Sequence, residues 1–129
     1  MTVSVAVSWG ELIDKITILE IKRERMTDPD QLANVEKEYE SLTATRDAAL
    51  PEDIESVKDA ASLKIINETL WEIEDDIRDC EREQAFGETF IDLARSVYRI
   101  NDRRAAVKRR INESLGSDLI EEKSYRSYD

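Results

Sequence analysis

Residues 63–111 read LKIINETLWEIEDDIRDCEREQAFGETFIDLARSVYRINDRRAAVKRRI, and this stretch decides the fold. In its first half Leu63, Ile66, Leu70, Ile73, Ile77, Cys80 and Gln84 follow one another three and four residues apart. Phe90, Leu93, Val97, Ile100, Arg104, Val107 and Ile111 repeat the spacing in the second half. That is the a/d seam of helices that bury one stripe against a partner helix. Gly87 takes positive φ without steric cost and is expected to end the first helix there. So short a connection makes the two helices antiparallel.

Charge points to the same pairing. Residues 68–83 carry eight acids (Glu68, Glu72, Glu74, Asp75, Asp76, Asp79, Glu81, Glu83) against Arg78 and Arg82. Residues 95–110 carry seven bases (Arg95, Arg99, Arg103, Arg104, Lys108, Arg109, Arg110) against Asp102. Folding about residue 87 lays much of one stretch beside the other. Exposed pairs contribute only ~0.2–1 kcal/mol each, but a complementary set favours one alignment over its competitors.

Working outward toward the N-terminus, Pro51 can open the third helix, and Leu50-Pro51 ends the second. Ile54, Val57 and Ala61 step into the register that starts at Leu63, a heptad irregularity that changes the local supercoil. Asp28-Pro29 caps and starts the second helix, whose stripe of Leu32, Val35, Tyr39, Leu42 and Ala49 is narrow. Ser8-Trp9-Gly10-Glu11 reads as a capping box, with the Glu11 carboxylate expected to return to Ser8.

The helix that Ser8 opens is apolar nearly all the way round, through Leu12, Ile13, Ile16, Ile18, Leu19 and Ile21. It therefore belongs either at the centre of a bundle or in a subunit interface. Because Ile18 and Ile21 point away from the Leu12–Ile16–Leu19 stripe, a homodimer through this helix is expected. Val3, Val5 and Val7 alternate as in a short strand, for which residues 118–122 or a second subunit would have to supply the partner. Leu115-Gly116 ends the fourth helix, and the tail after it either docks through Leu119, Ile120 and Tyr125 or stays mobile.

The fold class is thus all-α within one domain, 1–129: an extended arm 1–8, a short helical hairpin 9–49, a long coiled-coil-like hairpin 51–115 and a tail 116–129. Helices are expected near 9–27, 29–49, 51–85 and 88–115.

A net charge of −11 opposes nonspecific binding to nucleic acid or anionic membranes, so neither is an expected partner. No charged leader and no membrane-length apolar run is read in the chain, and Cys80 is its single cysteine, so a reducing cytoplasm is expected. There is no histidine, the usual proton shuttle and commonest transition-metal ligand. Glu52-x-x-Glu55 and Glu72-x-x-Asp75 resemble the paired carboxylates of all-helical nucleotide pyrophosphohydrolases. Those pairs need separate helices converging on magnesium, whereas residues 55 and 72 fall ~25 Å apart on one helix. No metal and no cofactor is expected.

Two constellations can bind a ligand. Arg95, Arg99, Arg103 and Arg110 fall within about 80° of one helical face and could hold phosphates, although helix-three acids are expected to satisfy part of that face. Trp71, Glu72, Asp75 and Arg78 come near Tyr98, Asn101, Asp102 and Arg104 when the hairpin closes. Arg104 sits at a seam position, so it is expected to be partly buried and paired with Glu72, Asp75 being the alternative. A register-setting polar network competes with a ligand pocket as the use of these residues.

The segments SWGELIDKITILEIK, LWEIEDDIRD, FIDLARSVYRINDRRAAVK and IEEKSY resemble the recurring segments of a small bacterial protein family described only as a domain of unknown function. The resemblance spans nearly the whole chain and implies a free-standing bacterial helical protein, but no activity and no catalytic residues. Leu12-Ile13-Asp14-x-Ile16, Leu19 and Arg25 are also similar to the first helix of all-helical chorismate mutases, which would imply an enzyme holding a dicarboxylate with arginines. The expected functions are a non-catalytic helical interaction or scaffold protein, dimeric or with an unidentified protein partner; a mutase-type enzyme; or an anion binder.

Overall fold

The structure, a computed structural model, describes residues 1–50 and 54–129. Four helices follow in order: α1 (Trp9–Arg25), α2 (Pro29–Ala49), α3 (Ile54–Glu83) and α4 (Glu88–Ser114). The fold is all-α, and no strand occurs among the described residues. Residues 1–7 and 118–122 are irregular, so the Val3–Val7 alternation finds no ladder partner. The expected helix opening at Pro51 lies outside the described residues. α3 runs unbroken past its heptad irregularity and is ~45 Å long at 1.5 Å per residue.

α1 is the central element. It packs on α2, α3 and α4, whereas α2 touches neither α3 nor α4 among the described residues. Three neighbours explain a helix apolar on every side: Leu12, Ile13, Ile16, Leu19 and Ile21 are all buried within the chain. Ile21, expected to face a second subunit, is 1 % exposed here, and only Ile18 remains half-buried. The core lies where α1 crosses the open end of the α3–α4 hairpin, with Ile13, Leu63, Val107 and Ile111 at its centre and Trp9, Ala60, Ile66 and Leu115 around them. Each fully buried aliphatic side chain contributes ~1.5–3 kcal/mol through its removal from water.

The α1 N-terminus is held by the far end of the chain. Gly10 N–H donates to Asn112 Oδ1 (2.6 Å), Trp9 N–H to Ser117 Oγ (3.3 Å) and Glu11 N–H to Ser8 Oγ (3.1 Å). These satisfy three donors that a helix start otherwise leaves unpaired. A Cβ on Gly10 would stand 2.5 Å from the Lys108 carbonyl oxygen, so only glycine permits this approach. Half of the capping box forms. The Glu11 carboxylate turns instead to Lys108 (2.7 Å) and Lys15 (3.5 Å), because charged partners outcompete a neutral backbone donor.

The turn between α3 and α4 departs from expectation. Gly87 has φ −84° and caps α4, while positive φ falls on Gln84 (55°). Gln84 N–H donates to the Glu81 carbonyl and Ala85 N–H to the Cys80 carbonyl, a Schellman ending. The Gln84 side-chain amide adds a bond to the Glu81 carbonyl (2.8 Å), which offsets part of the left-handed strain. Gly116 (φ 62°) ends α4 by the same pair of bonds.

The complementary charges do not meet across the hairpin. Among the described residues, Arg110–Asp59 (3.0 Å) is the ion pair that links α4 to α3. Asp75 and Asp79 on α3, like Arg95 and Arg99 on α4, fall on heptad positions turned away from the seam, which explains the missing pairs.

Candidate functional site

Asp14 lies one turn into α1, 1 % exposed, among buried Leu and Ile side chains and the buried Thr17. A carboxylate so placed must be paired and hydrogen-bonded. Arg104 on α4 supplies the pairing as a two-toothed fork, Nε to Oδ1 at 3.0 Å and Nη2 to Oδ2. Asn67 on α3 donates its amide hydrogens to Asp14 Oδ1 (2.9 Å) and Thr17 Oγ1 (3.0 Å), and the Thr17 hydroxyl donates to the Asp14 carbonyl (2.8 Å). No buried side-chain polar atom is left without a partner among the described residues. One carboxylate thereby fastens three helices. Hydrogen bonding to Asp14 raises the Arg104 pKa above the ordinary arginine value, against the opposing effect of burial.

Arg104 is thus half-buried and paired with a carboxylate, but not one from α3. Glu72 bonds instead to Arg25 (3.3 Å), and Asp75 is exposed. The reason is tertiary: the seam opens toward α1 at this level, and hairpin periodicity carries no information about a third helix.

Above Arg104 a groove of about 620 Å³ runs between α4 and the tail. Tyr98, Asn101, Arg104 and Lys108 form its α4 wall, and Lys123, Tyr125, Arg126 and Tyr128 its tail wall. Asp102, in the constellation read from the sequence, also lines it. The remaining members stay outside. Trp71 is half-buried on α3, and among the described residues Arg78 reaches only Glu74 of its own helix (3.9 Å). Along the anion face, Arg95, Arg99 and Arg103 are exposed with no ion pair among the described residues, while Arg110 is held by Asp59.

The tail docks by polar contacts, and Leu119, Ile120 and Tyr125 remain exposed. Lys108 Nζ bridges Glu11 (2.7 Å) and Glu121 (3.2 Å), and Arg109 holds Glu122 (3.1 Å). Glu121 also pairs with Lys123, and the Tyr98 and Tyr128 rings meet edge-on at 5.1 Å. Hydrogen bonds from Lys123 and then Lys108 hold the Glu121 carboxyl below its ordinary pKa, against the effect of burial. The Asp102 carboxylate beside it holds the Tyr128 phenol above its own.

Sequence reading named Tyr98, Asn101, Asp102 and Arg104 but missed Asp14, Asn67 and Lys108. Polar residues inside two apolar runs, Asp14 after Leu12-Ile13 and Asn67 after Ile65-Ile66, were the available signal. The tail residues offered none, since their segment has no period. Asp14 and Arg25, the charged members of the mutase-like pattern, are engaged with Arg104 and with Glu68 and Glu72. No cluster of three or more metal-ligating side chains forms among the described residues, and Glu52 and the side chain of Glu55 lie outside them. Cys80 is a buried thiol in the hairpin seam. No helix among the described residues is long and apolar enough to cross a membrane.

Residues 3–128 match the family of unknown function DUF6165, and the chain belongs to that family. No curated protein and no solved structure matches it.

Proposed function

We propose that this DUF6165 member is a cytoplasmic helical interaction protein, and that the outer part of its α3–α4 hairpin pairs with a second copy of the chain. One observation carries the reading: α1 covers the hairpin at one end only, and on the outer arm Ile73 and Cys80 of α3 are buried while the α4 side of the seam stays half-open. Val107 and Ile111 are buried beneath α1, while Phe90, Leu93, Val97 and Ile100, in the same heptad register, are half-open. The polar contacts of α1 with the hairpin involve Lys64, Asn67, Glu68 and Glu72 on α3 and Arg104, Lys108 and Asn112 on α4. None involves residues 73–103 among the described residues.

Charge selects the partner. On this outer arm Asp75, Asp76, Glu81 and Glu83 of α3 are exposed without ion pairs among the described residues, as are Arg95, Arg99 and Arg103 of α4. A two-fold interface requires each copy to present both complementary faces, and the arm presents an acidic and a basic one. Phe86, 46 % exposed at the tip, and Ile91, 52 % exposed, add apolar area to cover.

Light-scattering mass tests this with a charge-reversal pair. Wild type should have the mass of two chains. Arg95→Glu/Arg99→Glu/Arg103→Glu and Asp75→Lys/Asp76→Lys/Asp79→Lys should each fall to one chain with unchanged helicity, and an equimolar mixture should regain the two-chain mass. A one-chain wild type, or variants that keep the dimer, sinks the reading.

A further inference from the structure

The groove between α4 and the tail adjoins that dimer surface at Val97, but its chemistry differs. Four cations face it: Arg104 and Lys108 from α4, Lys123 and Arg126 from the tail. Asp14 neutralises Arg104 from the buried side, and Glu11 reaches Lys108 from α1. Both carboxylates belong to the fixed frame of the fold. Glu121 does not: it is carried by an irregular tail, it is itself exposed, and it bridges two of the groove's lysines, Lys108 and Lys123, from outside the groove lining. Arg126 has no ion pair among the described residues.

Without the Glu121 carboxylate, Lys123 and Arg126 would present two unpaired positive charges to one groove, against the Asp102 carboxylate that also lines it, while Lys108 stays paired with Glu11. Lysines recognise phosphate as point charges, and an arginine adds directed donors. Tyr98, Tyr125 and Tyr128 stand beside these cations, with Tyr125 80 % exposed and free to lie against a flat ring. A volume of about 620 Å³ suits a ligand of nucleotide size.

We propose that the groove binds a phosphate monoester carrying a planar ring, with Lys123 and Arg126 on the phosphate, and that Glu121 competes with the ligand for Lys123. Binding then exchanges one carboxylate for one phosphate on Lys123, recruits Arg126, and stacks the ring on a tyrosine. The edge-on contact of Tyr128 with Tyr98 continues to hold the tail.

Isothermal titration of the full chain with adenosine 5′-monophosphate, and separately with inorganic phosphate, tests this. The nucleotide should bind saturably below millimolar concentration, more tightly than phosphate alone and more weakly as salt rises. Glu121→Gln should tighten binding by about tenfold, the worth of one charge-assisted contact. Lys123→Ala/Arg126→Ala, both at exposed positions, should weaken it by at least about as much. Glu122→Gln is the control, because it loosens the tail at Arg109 and leaves the groove charges in place. No saturable heat from wild type or Glu121→Gln at millimolar nucleotide overturns the proposal. So does equal tightening by Glu122→Gln, which would trace the gain to tail mobility. Phosphate binding as tightly as the nucleotide overturns the assignment of the ring.

Discussion

Arg104 shows how one side chain can be read correctly and its partner wrongly. A cation at an a/d position has to be paired, and it is, but by Asp14 across the α1–α4 contact. Removing one member of such a buried pair typically loses ~3–5 kcal/mol, because the other charge is left desolvated. Asp14→Ala should therefore destabilise strongly in urea unfolding. A double-mutant cycle should give more than ~1 kcal/mol of coupling between Asp14 and Arg104, and under ~0.5 kcal/mol between Glu72 and Arg104. The reverse ordering would mean that the fork is not what orders the site. Asn67 supports it from α3, spanning the carboxylate and Thr17, so Asn67→Leu should lose part of the same stability.

Among the elements, the α3–α4 turn and the tail carry the clearest consequences. Gln84 adopts a left-handed conformation that costs a residue with Cβ roughly 1–2 kcal/mol. Gln84→Gly relieves it but gives up the amide bond to Glu81, so a net gain of ~0.5–1 kcal/mol is expected in the denaturation midpoint. A loss would show that the side-chain bond outweighs the strain. For the tail, pH sets two limits. Glu121 has a lowered folded-state pKa, so its contribution is present above the ordinary carboxyl value of 4.5 and is lost as pH falls through the folded value. Tyr128 has a raised one, so its contribution is present below 10.0 and is lost as pH rises through the folded value. Amide shifts of residues 121–128 should report a docked tail between these limits and release on either side. Glu121→Gln should abolish the acid transition alone and Tyr128→Phe the alkaline one. Loss of both transitions in either variant would contradict two separate clasps.

For the whole molecule, the decisive arrangement is a central helix gripped by three others, with a hairpin arm reaching beyond them. Ile21 then belongs to the interior of one chain. Ile21→Glu should unfold the protein, with loss of the helical circular dichroism signal, rather than release a folded single chain. A folded, fully helical Ile21→Glu protein of one-chain mass would return Ile21 to a subunit interface. The arm is where association is expected, since its apolar stripe is half-covered and its acidic and basic faces form no ion pair with each other among the described residues.

Local pattern alone determined the four helices and the antiparallel hairpin. Period, caps and breakers act within a few residues, and Ser8, Asp28 and Gly116 stand in the structure as helix boundaries. Apolar excess marked α1 as surrounded, for the same reason: a face that avoids water shows in composition. What surrounds α1 was decided by tertiary structure, as were the pairing of Arg104 with Asp14 and the groove under the tail. Each depends on where a residue tens of positions away arrives, and a periodicity of three and four carries no trace of that distance. Gln84 in place of Gly87 at the left-handed position marks the boundary between the two. Glycine was the cheaper residue, but the helix ended where the Cys80 and Glu81 carbonyls found their donors.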